Sequence, residues 1–161
     1  MIDEFKLSMR SLAGAVNIIT AGSGSDAAGL TATAVCSLSM TPPRLLVGIN
    51  RAGSTFTALA ATDEFCVNLL DTEARGLAEI FAGRTGLAGE NKFADAGWIC
   101  EDDHPPRLAS AMAAIRCTVH SMQIVGTHAI VVGDVQSVWN RAEARPLIYH
   151  NQCFQTLQDL A

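Results

Sequence analysis

Apolar and polar positions alternate along much of this chain, most clearly over residues 30–40. There Leu30, Ala32, Ala34, Cys36, Leu38 and Met40 interleave with Thr31, Thr33, Val35, Ser37 and Ser39. A period of two predicts one strand with an apolar face and a mostly hydroxyl-lined face. Pro42-Pro43 ends it, since neither residue can donate to a ladder, and residues 45–49 begin the next strand. Residues 15–20 read as an earlier strand with its turn at 22–26, and 64–70, 115–125, 128–139 and 146–154 as four later ones, with Gly126-Thr127 as the tip of a hairpin.

Helical spacing is confined to short segments. Phe5, Met9 and Leu12 share a face, residues 56–61 follow the Gly53-Ser54-Thr55 break, and Asp71 or Thr72 caps a helix that aligns Ala74, Leu77, Ile80 and Phe81. Residues 83–92 form a glycine-containing loop. Strands outnumber helices, and several connections are too short for crossover helices. The expected fold class is therefore mainly β with peripheral helices, an antiparallel sheet closed into a barrel. One domain over residues 1–161 is expected at this length.

Composition adds a subunit interface to this picture. Hydrophobic residues make up 49% and charged residues only 17%, which argues against disorder and leaves too little charge to solvate every face of a monomer. The net charge of -5 disfavours nucleic acid or an anionic membrane as partner. Residues 61–105 carry ten acids against three bases while each flank comes to +1, so an anionic cofactor is expected to prefer the flanks. The uncharged stretches 27–43 and 117–133 contain Thr, Ser, Pro, Gln and His, and no membrane span is expected. Asp3 and Glu4 stand where a secretory peptide needs bases, and five cysteines lack a C-x-x-C pair. A cytoplasmic protein with free thiols is the expectation.

Several chemistries lose support on spacing. Gly22, Gly24 and Gly29 lead into a strand rather than a helix, unlike a Rossmann or P-loop fingerprint. Cys117 with His120, and His150 with Cys153, have metal-like spacing, yet residues three apart on a strand point to opposite faces, so no metal is expected. No serine lies in a G-x-S-x-G turn. Three candidates stay open. The hydroxyl face of 31–39 is either the solvent side of an edge strand or a set of ligand donors. Asn50, Arg51, Ser54 and Thr55 at a helix start suit a phosphate, although a simple N-cap explains Ser54 or Thr55 equally well. His128, beside the Gly-Thr turn, is either a surface histidine or a catalytic one.

Read together, these segments resemble the short-chain flavin reductase family, particularly the reductase components of two-component monooxygenases such as 4-hydroxyphenylacetate 3-monooxygenase. The resemblance rests on Ala15-Val16-Asn17-Ile18-Ile19-Thr20, Gly29-Leu30-Thr31-Ala32-Thr33-Ala34-Val35-Cys36-Ser37, Thr41-Pro42-Pro43, Cys66-Val67-Asn68, Phe81-Ala82-Gly83, Gly126-Thr127-His128 and Leu147-Ile148-Tyr149. It implies an antiparallel split β-barrel that binds FMN at a homodimer interface, with FAD as the alternative. Thr31, Thr33, Ala34, Val35, Cys36 and Ser37 would contact the flavin ring and ribityl chain. Asn50, Arg51, Ser54 and Thr55 would hold the phosphate, helped by Lys92 and Phe93, with Tyr149 also at the cofactor and His128 on the nicotinamide side. The implied reaction is hydride transfer from NADH or NADPH to flavin, supplying an oxygenase component. Alternatives are a reductase that keeps FMN and reduces a corrinoid acceptor, and a flavin-binding module without turnover. Relatives often carry bases after the position of Tyr149, whereas His150-Asn151-Gln152-Cys153 stands here, which favours FMN over FAD.

Overall fold

The computed structural model describes residues 1–94 and 97–158. Helix α1 (Ile2–Arg10) leads into β1 (Gly14–Ala15), β2 (Asn17–Ala21), β3 (Ala28–Ala32), β4 (Val35–Met40) and β5 (Pro43–Asn50). Helix α2 (Ser54–Thr62), β6 (Glu64–Leu69) and helix α3 (Arg75–Phe81) follow. The rest comprises β7 (Trp98–Ile99), β8 (Arg107–Leu108), the long β9 (Ala113–Val125) and β10 (His128–Asn140), β11 (Ile148–His150) and β12 (Cys153–Gln155). Seven strands form one antiparallel sheet in the order β3-β2-β6-β9-β10-β5-β4, with β1-β11-β12 and β7-β8 as smaller sheets. The mainly β, antiparallel expectation is met.

Both faces of the large sheet are covered near its first strands, so β2 is buried at all five positions. Ile19 and Ala21 join a core with Val47, Ile49, Phe65, Val67, Ala129 and Val131, while Ile18 and Val16 join a second one with Ala78, Phe81 and Leu147. A strand covered on both faces reads as a continuous apolar run. Two buried polar side chains between them, Asn68 and Thr20, are paired. Asn68 donates Nδ2 to the Ile18 carbonyl (3.2 Å) and accepts from the Leu108 N–H (2.7 Å), and Thr20 donates to the Pro106 carbonyl at 2.6 Å. These bonds staple the 105–108 segment to the sheet. Asp71 is the cap ahead of α3, accepting from the Glu73 and Ala74 N–H groups while pairing with Arg141.

The single strand expected over 30–40 is in fact two. Residues 33 and 34 are outside any strand, and β3 pairs with β2 whereas β4 pairs with β5. The break shifts the phase: Leu30 and Ala32 pack on the core before it and Val35 after it, which leaves Leu38 and Met40 exposed. The expected apolar face is thus not buried along β4. The expected strand over 146–154 is likewise a hairpin, β11 to β12, turning at Asn151 and Gln152 with φ of 47° and 63°. Two consecutive positive φ values mark the tight turn that strand twist favours. His150 and Cys153 therefore face each other across this hairpin, contrary to the strand-based expectation, while Cys117 is buried and His120 exposed as alternation requires.

Candidate functional site

Three of the expected site residues meet at one end of the large sheet. His128 opens β10 directly opposite Asn50, the last residue of β5. The chain reverses between β9 and β10 through Gly126-Thr127, with Gly126 at φ 57°, and the 50–52 loop leans on that turn. Arg51 donates its backbone N–H to the Thr127 carbonyl (3.0 Å) and Nη1 to the Gly126 carbonyl (3.3 Å). Asn50 accepts the Ala52 N–H on Oδ1 at 2.9 Å, closing an Asx-type turn. His128 Nδ1 is hydrogen-bonded to Thr127 Oγ1 at 2.9 Å, which orients an exposed imidazole.

The 33–34 corner lies beside this end. The Gly48 N–H donates to the Ala34 carbonyl (2.8 Å), and a Cβ on Gly48 would come within 3.0 Å of the Ala34 Cβ. Only two small residues allow that approach. Thr31, Thr33 and Tyr149 then line one cleft with Ala82 and Arg84. Thr33 is exposed, but Thr31 donates its hydroxyl to the Ala78 carbonyl of α3 at 2.7 Å, so its proton is spent inside the fold. Val35, Cys36 and Ser37 line a separate apolar groove with Met40 and Val138.

The helix start removes one of the two readings left by the sequence, the side-chain cap. Gly53 is the N-cap of α2 and neither hydroxyl caps it. Ser54 is exposed in a groove with Asp26, Thr57 and Gly89, whereas Thr55 is only 2% exposed. Gly89 begins the 3-10 turn that carries Lys92 and Phe93. Phe93 packs edge-on against Phe81 and Trp98, both at 5.1 Å, which makes it part of the second core, and Lys92 Nζ sits 5.6 Å over the Phe81 ring. The structure thus gathers Asn50, Arg51 and His128, sets Ala34 against the same sheet end, and places Thr31, Thr33 and Tyr149 in a neighbouring cleft. Lys92 and Phe93 line neither that cleft nor the apolar groove.

Residues 9–158 match the family described as flavin reductase like domain. The chain belongs to this family. An FMN reductase (NADH) RutF of Stutzerimonas stutzeri (strain A1501) is 37% identical over 155 residues, 96% of this chain and 88% of that protein. The 4-hydroxyphenylacetate 3-monooxygenase reductase component of Escherichia coli is 35% identical over 151 residues, 94% of this chain and 89% of that protein. Flavin reductase HpaC, solved in complex with NADP+, has the same fold at TM-score 0.87 and 27% identity, covering 99% of this chain and 100% of that one.

Several other polar groups of this flavin reductase family member are held within the fold. Burial pushes the thiols of Cys66 and Cys117 up to about 12, which keeps them protonated and unreactive at neutral pH. On the outer face, Asp134 accepts from Arg44 Nε at 2.6 Å and contacts His120 Nδ1 at 3.0 Å. The Arg44 hydrogen bond, followed by the one from His120, holds the Asp134 carboxyl below its usual range. Sequence reasoning passed over Arg84, which lies just beyond the Phe81-Ala82-Gly83 motif. Its donation from Nη2 to the Tyr149 hydroxyl (3.2 Å) joins residues 65 apart and leaves no local sequence signal. Among the described residues, no helix is long and apolar enough to cross a membrane.

Proposed function

We propose that this protein is an NAD(P)H-dependent flavin reductase that reduces FMN, with FAD as the alternative, and passes reduced flavin to an oxygenase component. The observation that carries the reading is the meeting of Asn50, Arg51 and His128 beside the small-residue corner at Ala34 and Gly48. The residues present fit a flavin. Small side chains leave room for a flat ring, Thr33 and Ser54 offer exposed hydroxyls, and among the described residues no carboxylate lines the clefts around Thr33 and Val35. A carboxylate there would oppose the negative charge of reduced flavin.

When both are bound, flavin and nicotinamide supply the chemistry, a hydride passing from the nicotinamide ring to flavin N5. The residues of this chain hold and orient. Thr33, Ala34, Val35, Cys36 and Ser37 line the ring and ribityl chain, Asn50, Arg51 and Ser54 take the phosphate, and His128 positions the nicotinamide. Titration of the purified protein with FMN and FAD tests the core of this reading: saturable fluorescence quenching at micromolar flavin is expected, and its absence removes the proposal. Turnover with added flavin, against turnover with a cobalt corrinoid as acceptor, separates the oxygenase partner from the corrinoid alternative. His128→Ala is expected to raise KM for NADH or slow flavin reduction while flavin affinity stays within about twofold. Loss of flavin with normal nicotinamide kinetics would move His128 to the flavin pocket.

We further propose one domain over 1–161 whose large sheet curls into a split barrel. Supporting closure, β3 and β4 lie at opposite edges of that sheet yet are joined by two residues, and one core draws on strands from both halves. A homodimer accounts for the exposed Leu38 and Met40, which are 51% and 80% accessible on the edge strand, and for the low charge. Sedimentation at low micromolar concentration is expected to give twice the chain mass, and a folded species of single-chain mass contradicts it. A cytoplasmic setting agrees with five free cysteines.

A further inference from the structure

We infer that Asn17 orients the flavin ring, its Oδ1 accepting the N3–H on the pyrimidine edge. This rests on the reading of the protein as a flavin reductase and adds a residue to the groove of Val35, Cys36 and Ser37. Asn17 opens β2 and is only 2% exposed, yet it lines that groove. Its Nδ2 donates to the Ala15 carbonyl at 2.9 Å and to the Ala32 carbonyl at 3.3 Å. Both amide protons are thereby committed, and two carbonyls on one side fix which way the amide faces. Oδ1 accepts from no donor among the described residues. Clipping β1 to the end of β3 needs only the donor half of the amide, so the buried acceptor calls for a second role.

The rest of the groove explains why one acceptor matters. Its cavity measures about 370 Å³, and its walls include Ala15, Val35, Leu45, Leu69, Ile115 and Val135. Aliphatic walls hold a flat ring by its faces but do not tell one edge from another. Two other polar side chains there are occupied: Arg44 pairs with Asp134 at 2.6 Å, and Ser39 Oγ accepts the Thr41 N–H at 3.3 Å. Ser37 is exposed, where water competes for its hydroxyl. The pyrimidine edge of oxidised flavin presents one N–H between two carbonyls, and an acceptor shielded from water selects it. The phosphate loop is at a matching distance. Val35 pairs with Val47, three residues before Asn50, so about 10 Å of strand separates groove from loop, the reach of a ribityl chain. Holding the pyrimidine edge fixes where N5 lies, and hydride transfer depends on that alignment.

The test compares FMN with N3-methyl-FMN, which lacks the N3 proton, in fluorescence titrations of the full-length protein. Wild type is expected to bind FMN about tenfold more tightly than the methylated flavin. In Asn17→Ala the two are expected to bind within about twofold of each other, the loss falling on FMN. A residue that only clips the strands would weaken both flavins alike and keep their ratio, which overturns the inference. NMR of bound FMN labelled at its ring nitrogens gives a second readout. The N3 resonance is expected to move upfield in Asn17→Ala, as loss of a hydrogen bond from N3–H requires, and an unmoved resonance also overturns the inference. Should Asn17→Ala fail to fold, wild type decides alone: equal affinity for FMN and N3-methyl-FMN overturns the inference, whereas a preference for FMN with an N3 proton that exchanges slowly with water supports it. Failure of wild type to bind FMN at all would instead count against the flavin reductase reading itself.

Discussion

Gly133→Val is expected to destabilise the protein by about 3 kcal/mol, the upper part of the range for an overpacked core. A Cβ at Gly133 would lie 2.5 Å from Phe65 Cζ and 2.8 Å from the Cys117 Cβ, distances that real side chains do not tolerate. Neither neighbour can yield, because Phe65 and Cys117 are fully buried and paired across β6 and β9. Nor is the backbone free to retreat, since Gly133 lies where β10 steps its register on β9 from Ser121 to Val119. A bulge sets local twist, and shifting it would move the inward face of β10 off the core. Chemical denaturation should show a lower midpoint with an unchanged slope. Adding Phe65→Leu should return part of the loss by opening space, a coupling that two independent defects would not show.

The second large effect is expected at the start of α2. Ser54→Ala should weaken FMN binding about tenfold, in the range of roughly 1.5 kcal/mol for a hydrogen bond to a charged group, with the melting temperature unchanged. The structure makes this separation possible because Gly53, not Ser54, is the cap, so removing the exposed hydroxyl costs the helix little. Thr55 is the contrast. Being buried, Thr55→Ala should lower the melting temperature through lost packing, with any change in flavin affinity following from stability. Equal FMN affinity in wild type and Ser54→Ala would leave the phosphate to Arg51 and the backbone N–H groups of the loop.

Much of this was legible in residue order because it depends on local chemistry. The hairpin at Gly126-Thr127 and the cap at Asp71 are short-range consequences of residue type, and the structure keeps both; β4 also stops before Pro42, but Pro43 opens β5 opposite Met40 instead of lying between strands. The family was legible too, since its motifs run through the chain and the flavin reductase like domain matches residues 9–158. Alternation misled at 30–40, where period two runs through the 33–34 break as though nothing happened. At the break the chain packs closely on Gly14 and Gly48, where an added Cβ would lie 2.9 Å from the Thr33 Cβ and 3.0 Å from the Ala34 Cβ. A sequence pattern cannot register a contact made by residues that far away.

By itself, then, the sequence determined the antiparallel character of the fold, its short helices and the family whose chemistry it carries, because periodicity and turn residues act over a few positions. Only the tertiary structure decided that β3 and β4 take opposite edges of the sheet, that His128 stands opposite Asn50, and that Arg84 rests on Tyr149. Those are pairings across 78 and 65 residues of chain, set by which strands can bury Ile19, Val47 and Phe65 in one core rather than by any local preference.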